Sequence, residues 1–173
     1  MNEPNSHRER NPHPDPLPEG RGITGPHPDP LPEGRGITGV IPMIAYEDGP
    51  AALEWLARVF GFRERARMTS PGDGHLTHGE METGSGVIML ATPSPHYRGP
   101  RRHRDDCEQA ARWSEVPYIV DGVLVYVDDV ESHHERARAG GATILSPLED
   151  DENGRKYRAE DLEGHRWMFI QRS

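Results

Sequence analysis

Two stretches eighty positions apart share one plan, and that plan limits what the chain can fold into more than any other feature. Residues 122–141, GVLVYVDDVESHHERARAGG, open with the apolar run 123–127, which is short enough and β-branched enough to be a buried strand. Asp128 and Asp129 follow, a residue type whose side-chain oxygen accepts from the free amides at a helix start, and Gly140 and Gly141 permit the left-handed turn that stops one. The same order of strand, cap, helix and stop occurs in residues 40–61, VIPMIAYEDGPAALEWLARVFG. Tyr46, Asp48, Ala57, Arg58 and Gly61 match Tyr126, Asp128, Ala137, Arg138 and Gly141 without a gap, and Gly84 and Gly164 carry the register into the last strand of each copy.

Taken in order, the first copy predicts a strand over 40–46 and a helix launched at Gly49 and Pro50, where proline forfeits no hydrogen bond. Ala52, Leu53, Leu56, Val59 and Phe60 recur at helical spacing as its buried stripe, with Trp55 at the margin. After Gly61, alternation predicts a strand with Phe62, Glu64, Ala66 and Met68 on one side and Arg63, Arg65 and Arg67 on the other. A turn at 71–74 leads to strands over 75–82 and 87–91. Residues 92–121 belong to neither copy: 93–104 reads as loop, 105–113 as two turns of helix capped by Asp105 or Asp106, and 116–120 as an apolar clip of open state. The second copy predicts a strand over 122–127, a helix over 129–139, and strands over 142–146, 155–160 and 165–171.

The expected organisation is therefore module one at 40–92, a connector at 93–121 and module two at 122–173, after a tail at 1–39. In that tail PHPDPLPEGRGITG, residues 12–25, recurs unchanged at 26–39, with four Pro and three Gly per block and almost nothing to bury. Such a segment cannot offset its ordering entropy, so it reads as disordered. Its unchanged duplication reads as a recent insertion or a translated DNA repeat, with a start site downstream as an open alternative. Of 20 basic and 29 acidic residues the tail holds 4 and 6, so the remainder carries a net charge of −7. That balance argues against nucleic acid and anionic membranes as partners. No apolar run approaches the ~20 residues of a membrane span, and no signal-peptide core is present. Cys107 is the lone cysteine, which excludes an internal disulfide and makes a cytoplasmic location the expectation.

Two βαβββ modules, an acidic cap before each helix, the helix-ending Phe60-Gly61 and the closing DLEGHRWMF at 161–169 together resemble the vicinal oxygen chelate superfamily, which contains glyoxalase I, bleomycin-resistance proteins, fosfomycin-resistance enzymes and extradiol dioxygenases. DLEGHRW is similar to its D-P-x-G signature, with Leu162 in the place of proline, and GVIML at 86–90 is similar to strands of the glyoxalase-like branch. The resemblance covers 40–173 and implies an α+β fold in which each module curls a mixed sheet around its helix and the two modules form a cup. It also implies four metal ligands, one from the first and one from the last strand of each module. Carried onto this chain those positions fall at Ile41 or Pro42, Asp121 or Gly122, Ile88 and Met168, give or take one residue. Only Asp121 among them can hold an ion, and a divalent site needs about three protein ligands, so no metal and no other cofactor is expected. Related proteins pair modules across a dimer or within one chain, so a homodimer is allowed without being required.

With the metal set aside, strand alternation nominates the cup's lining. If Met168 points inward, so do Arg166 and Ile170, while Trp167 and Phe169 pack against helices; Tyr126 and Leu124 then face the cavity, with Tyr46 and Ile44 opposite by repeat symmetry. Two phenols and a guanidinium in an apolar cup suit an aromatic or anionic small molecule. The plainer alternative is that both tyrosines cap a sheet edge. His78 and Glu80 share one strand face and are the candidate catalytic pair, as base and orienting partner or as ligands of a differently built divalent-metal site; a solvated strand face is the alternative. His133 and His134 are adjacent on a helix, about 100° apart, and cannot easily share an ion. Arg98, Arg101, Arg102, His103 and Arg104 form a basic cluster that either holds an anion as a lid or is solvated loop. Cys107 follows it, with His103 as its one local partner for nucleophilic chemistry. The leading expectation is a metal-independent protein that binds a small organic molecule. The alternatives are a glyoxalase-like lyase, isomerase or dioxygenase, and a drug-sequestering protein.

Overall fold

Each copy of the repeat builds its own sheet around its own helix. The computed structural model describes residues 39–116 and 122–172. The segment read as disordered lies outside that range except for Gly39, as do Asp121 and most of the apolar clip. Module one runs β1 (Met43–Ala45), α1 (Gly49–Phe60), β2 (Arg63–Thr69), β3 (Leu76–Thr83) and β4 (Gly86–Ala91). The connector forms α2 (Pro100–Asp106) and α3 (Glu108–Ser114). Module two runs β5 (Gly122–Tyr126), α4 (Val130–Ala139), β6 (Thr143–Ile144), β7 (Glu149–Asp151), β8 (Gly154–Glu160) and β9 (Arg166–Gln171). The first sheet has the order β1-β4-β3-β2 and the second β5-β9-β8-β6, with the short β7 also paired to β8. In both, the first and last strands of the module lie parallel and the rest antiparallel. The expected α+β fold of two βαβββ modules is what the chain adopts.

The helices form where their caps are. The Asp48 carboxylate accepts from the Ala51 amide at 3.0 Å, Pro50 sits in the first turn, and Gly61 ends α1 at φ 74°. In α4 the cap is Asp129, accepting from the Ser132 amide at 3.0 Å, with Gly141 at φ 93° after its end. Each cap contributes about 1 kcal/mol. The α1 stripe Ala52, Leu53, Leu56, Val59 and Phe60 is buried as its spacing predicts. The two helices share a core with the inner faces of both sheets: the Phe60 ring lies 4.8 Å from Phe169 and 5.7 Å from Trp167, and Phe62 5.4 Å from Trp167.

Three departures from the sequence reading have identifiable causes. The connector is helical from Pro100 rather than looped to 104, because Gly99 is extended at the cap and Pro100 takes the first helical position. The helix then breaks at Cys107, whose extended backbone both ends α2 and starts α3. Strict alternation fails in β2, where register shifts fall between Glu64 and Ala66 and between Met68 and Thr69.

The third departure concerns register. Turn glycines keep the eighty-residue offset, since Gly61, Gly141, Gly84 and Gly164 all have positive φ. The helix caps do not: Asp48 and Asp129 are eighty-one apart, because α4 is shorter than α1. A one-residue slip turns a strand's side chains to the other face. Tyr46 and Tyr126 match in sequence and therefore point in opposite directions. Tyr46 is fully buried and donates its hydroxyl to Asp161 at 2.6 Å, whereas Tyr126 is half exposed.

One buried group ties stability to pH. His133, 4% exposed, lies between the Tyr157 hydroxyl (2.7 Å from Nδ1) and the Phe60 carbonyl (3.0 Å from Nε2). The carbonyl can only accept, so Nε2 carries the proton and Nδ1 accepts from tyrosine. Burial first, then the Arg136 charge, pulls the imidazole pKa down to about 4. A depressed histidine pKa means that the folded state resists protonation while the unfolded chain protonates near 6.5. Its contribution is complete above pH ~6.5 and is lost as pH falls towards 4, at up to ~1.4 kcal/mol per pH unit. In urea unfolding measured from pH 7 to pH 4.5, the wild type should lose stability more steeply than His133→Gln.

Candidate functional site

The connector is fastened across the end of module two, and a cavity lies beneath it. Glu160, the last residue of β8, is 4% exposed and receives a paired contact from Arg104 of α2, both nitrogens at 2.9 Å. Arg166 of β9 stands beside Glu160 in register, 3.5 Å from its carboxylate, and donates to the carbonyls of Ser114 (2.5 Å) and Val116 at the end of α3. Arg101 donates to the Asp161 carbonyl at 3.0 Å, and Arg102 pairs with Glu47 at 2.5 Å. Glu47 also accepts from the Gly99 amide at 2.7 Å. Three of the basic cluster are thus structural, and among the described residues only the side chains of Arg98 and His103 in that cluster are without a hydrogen-bond or ion-pair partner.

The cavity is about 610 Å³ and lies between β1, β5 and the two connector helices. Its apolar wall includes Pro42, Met43, Ala45, Trp113 and Val123; Arg98, His103 and Tyr97 come from the connector. The Trp113 indole is 59% exposed. Burial first, then Glu163, raises the Tyr97 phenol, which is therefore neutral and donates. A second cavity of about 760 Å³ sits between the end of α1 and the start of α4. Its polar side chains are largely committed: Arg136 donates to the Val59 and Phe60 carbonyls, and Arg172 covers the Tyr126 ring at 3.8 Å.

The four nominated binding residues separate. Met168 and Tyr126 lie on the open face of the second sheet with Leu124, as alternation predicts, since Leu124 pairs with Met168 and Tyr126 with Ile170. Arg166 shares that face and lines the cavity, but its guanidinium is spent on α3 and Glu160. Tyr46 is removed from any cup lining by the register slip and belongs to the core, whereas Ile44 is partly buried and lines the cavity. Burial first, then the Asp161 charge, pushes the Tyr46 phenol well above its ordinary range.

His78 and Glu80 do meet, Nε2 to Oε1 at 3.1 Å, on the open face of β3, with Arg65 3.9 Å from Glu80. Neither lines the two cavities described. His133 is a core residue and His134 packs edge-on against Tyr157 at 4.8 Å. Cys107 is a free thiol at the junction of α2 and α3. Arg98 and His103 belong to the basic cluster that sequence reasoning named, and what it missed is the Trp113 and Tyr97 side of the cavity. Its signal was Trp113 at the end of an otherwise polar connector helix.

Of the ligand positions expected from the sequence, Asp121 lies outside the described residues, and Ile41, Pro42, Gly122, Ile88 and Met168 offer no ionisable donor. Met43 stands beside Met89, and Leu124 beside Met168, all on the open faces, while Ile88 is buried in the core. Thioether and alkyl groups do not suit a hard divalent ion. Among the described residues no three His, Cys, Asp or Glu converge.

The profile described as the Glyoxalase/Bleomycin resistance protein/Dioxygenase superfamily matches residues 40–169. Among solved structures, TioX from Micromonospora sp. ML1 is 34% identical, with 79% of this chain and 97% of that one covered and a TM-score of 0.56. The bleomycin-binding protein of Streptomyces verticillus, solved with copper(II)-bleomycin, is 15% identical, with coverage of 80% and 98% and a TM-score of 0.50, a likeness of fold. An uncharacterized protein of Mycobacterium tuberculosis H37Rv is 28% identical over 135 residues, covering 75% of this chain and 72% of its own.

The connector's attachment is testable on its own. Arg104→Met leaves the Glu160 carboxylate buried with only the more distant Arg166, and should cost about 3 kcal/mol in urea unfolding. The double variant Arg104→Met with Glu160→Met should recover part of that loss.

Proposed function

The chain belongs to the Glyoxalase/Bleomycin resistance protein/Dioxygenase superfamily, and within it we propose that this protein is a metal-independent binder of a small organic molecule. The observation that carries this reading is that, of the positions to which the resemblance assigns metal ligands, Ile41, Pro42, Gly122, Ile88 and Met168 offer no ionisable donor, the remaining candidate Asp121 lying outside the described residues. A fold kept intact while those positions are apolar supports use as a receptacle. The ~610 Å³ cavity bounded by β1 and β5 supports it further, being of the size that encloses small ligands. The net negative charge of the region beyond the tail favours a small molecule over nucleic acid or an anionic membrane as partner. Among the described residues no helix is long and apolar enough to cross a membrane. The single unpaired cysteine is in keeping with a cytoplasmic location.

The His78–Glu80 contact supports a second reading, an enzyme whose base or metal is held on β3. Isothermal titration with Zn, Mn, Ni and Fe(II) separates the two. No stoichiometric binding is expected, and His78→Ala and Glu80→Ala should leave ligand affinity unchanged; a tight one-to-one ion lost in either variant would decide for the enzyme.

Homodimerisation is part of the proposal. Met43 is 80% exposed, Met68 60%, Tyr126 50% and Leu124 43%, so each sheet presents apolar groups on its open face that a second copy would cover. Light scattering at micromolar concentration should give twice the chain mass of 19.4 kDa, and Leu124→Lys should return it to the single mass.

A further inference from the structure

We propose that the cavity between β1 and β5 selects a planar aromatic anion, with Arg98 and His103 of the connector recognising its charge and Trp113 its ring. The inference rests on the small-molecule reading above and adds the chemical class of the ligand.

The wall's charge is one-sided. Its ionisable members among the described residues, other than Tyr97, are Arg98, His103, Arg104, His165 and Arg166, and no carboxylate is among the described lining residues. In a chain with 29 acidic against 20 basic residues, a wall of that composition is unlike the molecule around it. Three of the five are satisfied internally: Arg104 and Arg166 hold Glu160, and His165 lies 3.3 Å from Asp161. The side chains of Arg98 and His103 have no such partner among the described residues. A guanidinium offers its donors as a planar fork matched to carboxylate or sulfonate oxygens. An imidazole supplies an N–H in either protonation state. Both line the cavity from one short stretch of the connector, Arg98 just before α2 and His103 within it.

The rest of the wall selects for a ring. Pro42, Met43, Ala45 and Val123 are apolar, and their low polarisability relative to water strengthens a nearby charge pair. Trp113 leaves more than half of a large indole uncovered at the cavity edge. An aromatic ring stacked on that indole would gain about 1 kcal/mol beyond the area it buries. Neutral Tyr97 adds a hydroxyl donor, which again favours an acceptor-rich ligand. A cation would meet two unpaired donors and no acceptor charge.

The test is a fluorescence titration of the full chain with three probes at one ionic strength: anilinonaphthalene sulfonate, the uncharged phenylnaphthylamine of the same ring skeleton, and the planar cation N-methylacridinium. The sulfonate should bind about tenfold or more tightly than the uncharged probe, the gain expected of one charge-assisted contact. The double variant Arg98→Met with His103→Gln, at positions that hold nothing else in place, should bring the two to equal affinity while phenylnaphthylamine binding is unchanged. Trp113→Leu should weaken both. Equal wild-type affinities, tighter binding of the cation, or a sulfonate preference that survives the double variant would each overturn the anion assignment and leave small-molecule binding standing. Failure of all three probes to bind would overturn both readings.

Discussion

The structure depends on one buried carboxylate. Asp161 is 1% exposed and accepts from the Tyr46 hydroxyl at 2.6 Å, the Trp167 indole at 3.1 Å and the backbone amides of Glu163 and His165 at 3.0 Å each. Burial alone would lift its pKa, but hydrogen bonds from His165, Tyr46 and Trp167 outweigh that and hold the carboxyl below its ordinary range. A charge in that position is tolerable only because every side of it is answered. Tyr46 directly follows β1 at the start of module one and the other donors come from the β8–β9 turn and β9, so the same group that shapes a turn in one module anchors the neighbouring module to it. Two residues on, Glu163 repeats the device in reverse: its carboxylate accepts from the Glu47 and Asp48 amides at 2.8 and 3.0 Å, at the entrance of α1.

From that turn the cavity is determined. The Glu163 carbonyl accepts from the Arg101 amide at 2.8 Å, and the Asp161 carbonyl from the Arg101 side chain. Arg101, Arg102 and Arg104 then lie along α2 at spacings that reach three acceptors on both modules. The connector is therefore held in large part by the same short signature that joins the modules, while Arg98 and the His103 side chain are placed without contributing to that attachment. Gly99 belongs to the fastening as well, since a side chain there would meet the Glu163 carboxylate at 2.8 Å.

Much of this was legible in the residues. Caps and stops are local chemistry, and Asp48, Asp129, Gly61 and Gly141 were readable because their roles need only neighbours a few positions away. The face of β9 was readable too, because Trp167 and Phe169 alternate with Arg166 and Met168. Tyr46 was not, since an ungapped repeat hides a one-residue shortening of the helix between two glycines that stay in step. The connector was not, since its helix is specified by ion pairs to residues more than fifty positions away, such as Arg102 to Glu47 and Arg104 to Glu160. No window of sequence contains both partners.

The arrangement of charge explains how an acidic molecule can present a cationic wall. Carboxylates are not scarce near the cavity; Glu47, Glu160, Asp161 and Glu163 all lie close behind it. Each is consumed by attachment: Glu47 by Arg102 and the Gly99 amide, Glu160 by Arg104 and Arg166, Asp161 by Tyr46 and the turn, Glu163 by the start of α1. Burial raises the Glu163 pKa above its ordinary value despite its amide partners. Glu47 and Glu160 are paired with arginine, and the field of a paired charge falls away faster than that of a lone one, while Asp161 and Glu163 are turned to hydrogen-bond donors and neither lines the cavity. Fastening the roof and setting the sign of the cavity are thus one event.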